Sequence, residues 1–369
     1  MLSPETIEQG RHVMAVCNAC RYCEGYCPVF PAMENRVSFA KGDLSYLANL
    51  CHNCGECLYA CQYAPPHEFG INVPRTLAGI RLGSYEEFCW PAAFGNAFRR
   101  MGVARVLATA VALSTALLAL CVVIGTEAWP AHPAGDFYGV MPHDVMVGLF
   151  GLASAVALLG LSIGCVRAVG AFRASVTSVS WRASGQAPIG SRGGVLWDAL
   201  TLRYLHGSGE NCTDAEEQRS PWRRRFHHLT MYGFVLCFAS TAVAAVYHVV
   251  FGWRAPYGYA SVPVVLGTVG GIGLLAGPAG LLTLRRRRDA AMRDPSQDGL
   301  DESFIVMLFM TSATGLLLLA LRGEPVMPLL LAVHLGFVLL FFLTLPYGKF
   351  VHGLYRTAAL LKYAAEEPR

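Results

Sequence analysis

Beyond about residue 98 the chain alternates long apolar runs with polar connections. Six runs stand out, at roughly Val103–Gly125, Val145–Ala168, Leu229–Phe251, Ser261–Leu284, Phe304–Leu321 and Met327–Leu345. Most reach the ~20 residues that an α-helix needs to cross a bilayer. A large soluble helical core would not supply so many uninterrupted apolar runs. The expectation is a six-helix membrane domain over residues 99–369, broken by one long polar loop at 169–228. Residues 1–98 form a separate polar head. It has helix-compatible stretches such as Ser45–Leu50 and Ile71–Arg81, and little β-branched alternation. The predicted class is therefore all-α throughout.

Charge gives the six runs a direction. Arg99, Arg100 and Arg105 flank the start of the first run, whereas Thr126–Asp144 has no Lys or Arg. Counted from Arg167 to His228, the long second loop carries nine arginines, including Arg223, Arg224 and Arg225. The third loop has only Arg254, the fourth has Arg285–Arg288 and Arg293, and the fifth has only Arg322. Lys349, Arg356, Lys362 and Arg369 follow the last run. Rich and poor loops alternate, so the positive-inside rule predicts both termini, and the head, in the cytoplasm. Only 15% of residues are charged, and the net charge of +4 is accounted for by topology, without a nucleic-acid partner. Met1–Val16 lacks the basic-then-apolar order of a secretory signal. The long loop is Gly/Ser-rich at Ser184–Gly194 and His206–Gly209. The latter lacks the glycine pattern and preceding strand of a phosphate loop. A docking surface or a cap over the head fits it better.

The head carries the strongest chemical signal. Cys17, Cys20, Cys23 and Cys27, followed by Pro28, repeat as Cys51, Cys54, Cys57 and Cys61. Each run reads C-x2-C-x2-C-x3-C, the spacing that holds a cubane 4Fe–4S cluster, and the fourth cysteine usually serves the other cluster. The expected sets are Cys17, Cys20, Cys23 and Cys61 for one cluster, and Cys27, Cys51, Cys54 and Cys57 for the second. Structural zinc wants paired ligands rather than threes plus one, and a disulfide framework wants a secreted chain. Cys89, Cys121, Cys165, Cys212 and Cys237 stand outside the motifs. Three of them lie in apolar runs, as inert packing residues do.

Ionisable residues within membrane runs usually have a task. His248 lies near the outer end of the third run, with His227 and His228 at its inner end. His334 lies in the outer part of the sixth, and His352 beyond Pro346 at its inner end. His248 can thus face His334 at the outer level, and His227 or His228 can face His352 at the inner level. His334 and His352 are 18 residues apart, five turns of a continuous helix, and phase prefers His227 over His228 as the partner of His248 on one face. Paired imidazoles from two helices are how a bundle holds b-type haem. Hydrogen-bonded packing is the plainer reading of any one of these residues. His143, after Pro142, is a competing outer ligand or a quinone-site residue, and His132 is loop. The Gly267–Gly280 stretch suggests close helix packing or room for a flat cofactor.

The double cysteine run resembles the helical ferredoxin modules of succinate dehydrogenase and heterodisulfide reductase subunits. Leu345-Pro-Tyr-Gly-Lys-Phe-Val-His352 resembles the haem-bearing helix of nitrate reductase gamma-type subunits. The two parts in this order, with Phe226-His-His-Leu-Thr-Met-Tyr-Gly233 between them, resemble the tricarballylate or citrate utilisation protein B family over nearly the whole chain. One departure is Gln62, where the second run could carry proline. The resemblance implies a prokaryotic inner-membrane protein and an FAD-dependent tricarballylate dehydrogenase as partner. Electrons would pass from its reduced flavin through two 4Fe–4S clusters, and one or two b-type haems, to a membrane quinone. A related fusion serves cobalamin synthesis, so another donor is open, as are hydrogenase- or heterodisulfide-type donors and a redox-sensor role. A transporter is suggested by the six runs alone. The chain shows no carboxylate pair, nucleophile–base constellation or substrate pocket for organic chemistry, so any substrate oxidation belongs to the partner.

Overall fold

The computed structural model describes residues 2–99, 101–124, 135–174, 189–206, 212–213 and 219–366. His132 and parts of the Ser184–Gly194 and His206–Gly209 stretches lie outside them. The head contributes α1 (Pro4–Cys20), α2 (Val29–Glu34), α3 (Lys41–Leu50), α4 (Glu56–Tyr59), α5 (Val73–Phe88) and α6 (Ala92–Arg99). There follow α7 (Val103–Ile124), the short α8 (Phe137–Val140), α9 (His143–Arg173) and α10 (Ile189–Leu200). Then come α11 (Trp222–Phe251), α12 (Val262–Arg286), α13 (Pro295–Ala320), α14 (Met327–Thr344) and α15 (Val351–Glu366). The strand content among the described residues is one two-residue pairing, Cys212–Thr213 with Arg219–Ser220. The all-α expectation holds, and α7, α9, α11, α12, α13 and α14 are long and apolar enough to cross a membrane.

Local chemistry sets the head helices. The Ser3 hydroxyl accepts the Thr6 N–H at 3.1 Å at the start of α1, and Arg21 closes it in the left-handed region. The Asn72 side chain accepts the Arg75 N–H at 3.0 Å, with Pro74 in the first turn, so α5 begins there. Met14, Met33, Leu44, Leu47, Leu77 and Ile80 form a fully buried core between α1, α2, α3 and α5.

Several helices outrun their apolar stretches. The second span is helical over all 31 residues of His143–Arg173, and the fifth starts at Pro295 rather than Phe304. Hydropathy marks the depth of lipid, whereas a helix continues until something caps it. Here Asp294 accepts the Ser296 N–H at 3.0 Å ahead of Pro295. The extra turns carry α13 out to the head, where Gln297 donates to the carbonyl of Ala78.

Within the bundle α14 packs against α7, α9 and α13, α12 packs on α13, and α11 lies along α12. The last contact is made by glycines. A Cβ on Gly233 would sit 2.8 Å from the Gly270 carbonyl oxygen, and one on Gly270 would sit 2.8 Å from that of Gly233. Of the two readings of the Gly267–Gly280 stretch, close packing is the one realised, as in small-residue helix pairs generally.

The last helix returns to the head and packs on α3, α9 and α10. At its end Glu366 accepts from Arg36 at 2.9 Å and from Tyr46 at 3.1 Å, while Arg36 also pairs with Asp43 at 2.7 Å. The Arg36 side chain is 0% exposed. A buried pair contributes little net stability but is costly to break from one side. Arg36→Ala should therefore destabilise the protein by about 3–5 kcal/mol, seen as a lower melting temperature in detergent. Gly270→Val should cost about 1–3 kcal/mol or more through overpacking. It should loosen the α11–α12 contact in crosslinking between cysteines placed on those helices; unchanged crosslinking would contradict the close contact.

Candidate metal centres

Cys17 and Cys20 ride on the last turns of α1, Cys23 lies in the turn beyond it, and Cys27 precedes α2. Cys51 caps α3, Cys54 is in the following loop, and Cys57 sits in α4 with Cys61 just past it. Asn53 (φ +54°) and Gly55 (φ +91°) take left-handed backbone between these thiols. Such torsions let a chain double back tightly enough to aim successive side chains at one point.

The thiols of the two runs lie close enough to act on one another. The Cys17 thiol is pushed up to about 12 by burial and then by Cys61, Cys23 and Cys20. Cys23 is pushed up to about 12 by burial, Cys61 and Cys20. Burial holds Cys27 and Cys57 well above the usual thiol value; Cys54 and Cys51 add to both, Cys27 adds to Cys57, and Cys23 of the other run acts on both. A cavity of about 250 Å³ is lined by Cys17, Cys20, Cys23, Cys57 and Cys61, among Val16, Tyr22 and Phe30. Clustered, half-dry thiols resist becoming thiolates because each charge repels the next. A polycation bound among them reverses that balance, so the donor set fits an iron–sulfur centre. Among the described residues no three His, Cys, Asp or Glu side chains are gathered as a site for a single ion. A cubane asks for something else, with each thiolate on its own iron at a separate corner. The Asn53 N–H donates to the Cys51 sulfur at 3.3 Å, one of the hydrogen bonds by which a protein adjusts such a centre.

The loop after Cys51 is held by guanidinium groups. Arg81 of α5 donates to the Cys51 carbonyl at 2.6 Å and to that of Ala48 at 3.2 Å. Arg356 of α15 donates to the Cys51 carbonyl as well. Arg223 of α11 donates to the carbonyls of Asn53 at 2.7 Å and His52 at 2.9 Å. Arg288, just past α12, donates to the Asn53 carbonyl, and to its side chain at 3.0 Å. Met292 of the same α12–α13 connection packs onto Gly55, and Tyr59 donates to Asp289 at 3.1 Å. The connection that covers the head is thus largely this one. From the long loop, Arg219 reaches Glu56 at 3.9 Å.

The histidines separate by level. At the head end the rings of His227 and His352 lie 5.9 Å apart, edge to face at 73°. The His352 Nδ1 contacts the Lys349 carbonyl, which can only accept, so Nδ1 carries the proton and Nε2 is bare. The His227 Nδ1 is buried without a hydrogen-bond partner. Two metal–imidazole bonds of about 2 Å each put ring centroids on the order of 6 Å apart, so His227 and His352 are the residues that would hold an iron at this level if one is bound. His228 is turned away, with its Nε2 on the Thr201 carbonyl at 3.1 Å. At the far end His248 does not face His334. It stacks on His143 with centroids 3.8 Å apart and planes within 15°, and Tyr138 lies 5.5 Å away. His334 is directed into α13, where its Nδ1 meets the Thr314 hydroxyl at 3.2 Å and its ring covers Gly315. The reason is packing order: α14 lies against α13 and α9, whereas α11 lies along α12. Stacked rings at 3.8 Å leave no room for an iron between them.

The four arginines on the Cys51 loop were not picked out by reading the sequence, where Arg223, Arg288 and Arg356 counted as topology charges and Arg81 only ended a helix-compatible stretch. A signal was present. Arg223 lies four residues before His227 and Arg356 four after His352, so each shares a helix face with its histidine.

A helical head with two cysteine runs of ferredoxin spacing, docked on six apolar helices, defines a multi-pass membrane protein of the ferredoxin-bearing kind. Residues 10–87 match the family model described as the citrate utilization protein B Fer4-like domain, and residues 97–369 match citrate utilization protein B. The curated citrate utilization protein B of Escherichia coli is 50% identical over 364 residues, covering 97% of this chain and 92% of that protein. No solved structure matches. The chain belongs to the citrate utilization protein B family. Its Fer4-like domain and its cysteines point to iron–sulfur clusters, consistent with a role in electron transfer.

Burial, then the neighbouring His227, Lys349 and Arg356 sites, holds His352 down at about 3, against 6.5 for a free imidazole. Between those values the unfolded chain binds a proton that the folded one refuses, so stability falls as pH drops from about 6.5 towards 3. In melts from pH 8 to 4, His352→Gln should show a shallower acid slope than the parent protein. Cys54→Ser should lower iron content while the six helices still insert, as read by iron analysis of the purified membrane protein.

Proposed function

We propose that this chain is the membrane-bound electron-transfer subunit of an oxidoreductase. In this reading residues 1–98 form the cytoplasmic head and residues 99–369 the membrane domain. Both termini lie on the cytoplasmic side of a prokaryotic inner membrane. Cys17, Cys20, Cys23 and Cys61 would hold one 4Fe–4S cluster, and Cys27, Cys51, Cys54 and Cys57 the other. His227 and His352 would ligate one b-type haem. Such centres exchange single electrons, which suits a donor that gives up two and an acceptor inside the bilayer. The donor is an FAD-dependent dehydrogenase, of the kind that oxidises tricarballylate, and the acceptor is quinone.

The observation that carries this reading is the continuity between the loop of the second thiol group and the inner histidine pair. Arg223 and Arg356 hold the carbonyls of Cys51, His52 and Asn53. Each stands one turn, about 6 Å of helix, from His227 or His352. A head merely tethered to the bundle would not need metal-ligating side chains so close beneath the cysteine loop. The charge pattern supports the orientation: the arginine-rich connections are those at the head end, where Arg223, Arg288 and Arg356 meet it. At the other end Tyr138, His143 and His248 group hydrogen-bonding and proton-accepting side chains, as reduction of a quinone head group requires.

Anaerobic purification in mild detergent tests this. About eight non-haem irons per chain and a b-type band in the reduced-minus-oxidised spectrum are expected. His227→Ala and His352→Ala should each abolish the same haem band, while His143→Ala and His334→Ala should leave it. Eight irons without haem would remove the haem from the proposal and leave the inner histidines as packing.

A further inference from the structure

Resting on the two-cluster reading, we infer that Arg81, Arg223, Arg288 and Arg356 form a positive cradle for the Cys51–Cys57 loop, raising the reduction potential of the centre it holds above that of the centre held by Cys17, Cys20, Cys23 and Cys61. The cradle makes the second centre the exit towards the membrane domain.

The argument begins with where these side chains come from. Arg81 belongs to the head, but Arg223, Arg288 and Arg356 belong to three separate elements of the membrane domain. All four converge on carbonyls within Ala48–Asn53. A carbonyl accepts a hydrogen bond without cancelling the charge of its donor. Guanidinium groups do not deprotonate in proteins, so the positive charge stays beside the loop. Among these groups Arg356 has its Nε buried without a hydrogen-bond partner.

A cubane held by four thiolates is an anion, and each added electron makes it more negative. Fixed positive charge close by, in a medium of low dielectric, favours the reduced form and so raises the potential. The first thiol group has a different setting. Its neighbours in the cavity are Val16, Tyr22, Phe30, Tyr63, Ile71 and Val73, and Tyr22 is 67% exposed. The charge near Cys23 is the Glu56 carboxylate, and a carboxylate where the other loop has guanidinium groups favours the less charged, oxidised form. The difference has a direction. One electron lost by the Cys17-set centre is one gained by the Cys51-set centre, with no bond or proton changed, and the step runs downhill from the solvent side to the bundle.

The test is a redox titration of the anaerobically purified full chain in detergent, followed by electron paramagnetic resonance. Cys54→Ser identifies which of the two reduced-state signals belongs to the Cys51 set. In Arg223→Gln, Arg288→Gln and their double variant that signal should move to lower potential, furthest in the double variant, while the other signal stays in place. Arg223→Lys and Arg288→Lys keep the charge but lose the forked hydrogen bonds, and should return the potential most of the way. Unchanged midpoints, or equal shifts of both signals, would overturn the inference. So would Lys variants shifted as far as the Gln ones, since geometry and not charge would then set the potential. Fewer than two titrating centres in the parent protein would instead remove the two-cluster reading on which the inference rests.

Discussion

Carbonyl groups at a loop that bends back on itself must find donors, because strands and helices no longer supply them. In the Cys51–Asn53 segment those donors are guanidinium groups from α5, α11, α15 and the α12–α13 connection. Much of the architecture follows from this junction. It explains why α11 begins at Trp222, a turn and more before its apolar stretch. It explains why the chain returns after α14 to lay α15 along α3. It also joins the head to the bundle through the very loop that carries three of the thiols.

Other polar links between head and bundle have the same character. Glu366 sits on Arg36 and Tyr46, and Gln297 reaches Ala78. Asp301 of α13 accepts from Lys349 at 2.8 Å and Arg285 at 2.6 Å, tying α12 and the α14–α15 turn together. Apolar contacts join the two parts as well, with Tyr46 and Phe88 against Phe172 and Tyr85 against Tyr355. A purely hydrophobic joint holds without fixing register, because it has no preferred direction. Directional donors and acceptors fix the register of the cysteine loop over the inner histidines, and electron transfer is sensitive to distance.

The two ends of the bundle are built for different tasks. At the head end, desolvated imidazoles have a bare nitrogen apiece and lie edge to face. At the far end, His143 and His248 are stacked with Tyr138 close to both. The first arrangement leaves the rings apart and edge on, the second stacks them face to face, so the two ends differ in geometry as well as in depth.

The sequence by itself determined the all-α class, the six apolar helices, the two cysteine runs and the family. Each is a local property: spacing along one segment, or the length of one apolar run, carries the physics unaided. It also marked His227, His228, His248, His334 and His352 as candidates, because ionisable residues in or beside apolar runs stand out; that His227 and His352 lie together is read from the tertiary structure. The partner of His248 was not legible. Helical phase says which face a residue occupies, but not which helix lies opposite, and the glycine contact of Gly233 with Gly270 commits α11 to α12 rather than α14. Nor was the role of Arg223, Arg288 and Arg356, which as charges near membrane ends satisfy topology wherever they point. Only the tertiary structure brings residues hundreds of positions apart onto one set of carbonyls. A backbone carbonyl leaves no mark in the sequence to say that it needs a donor.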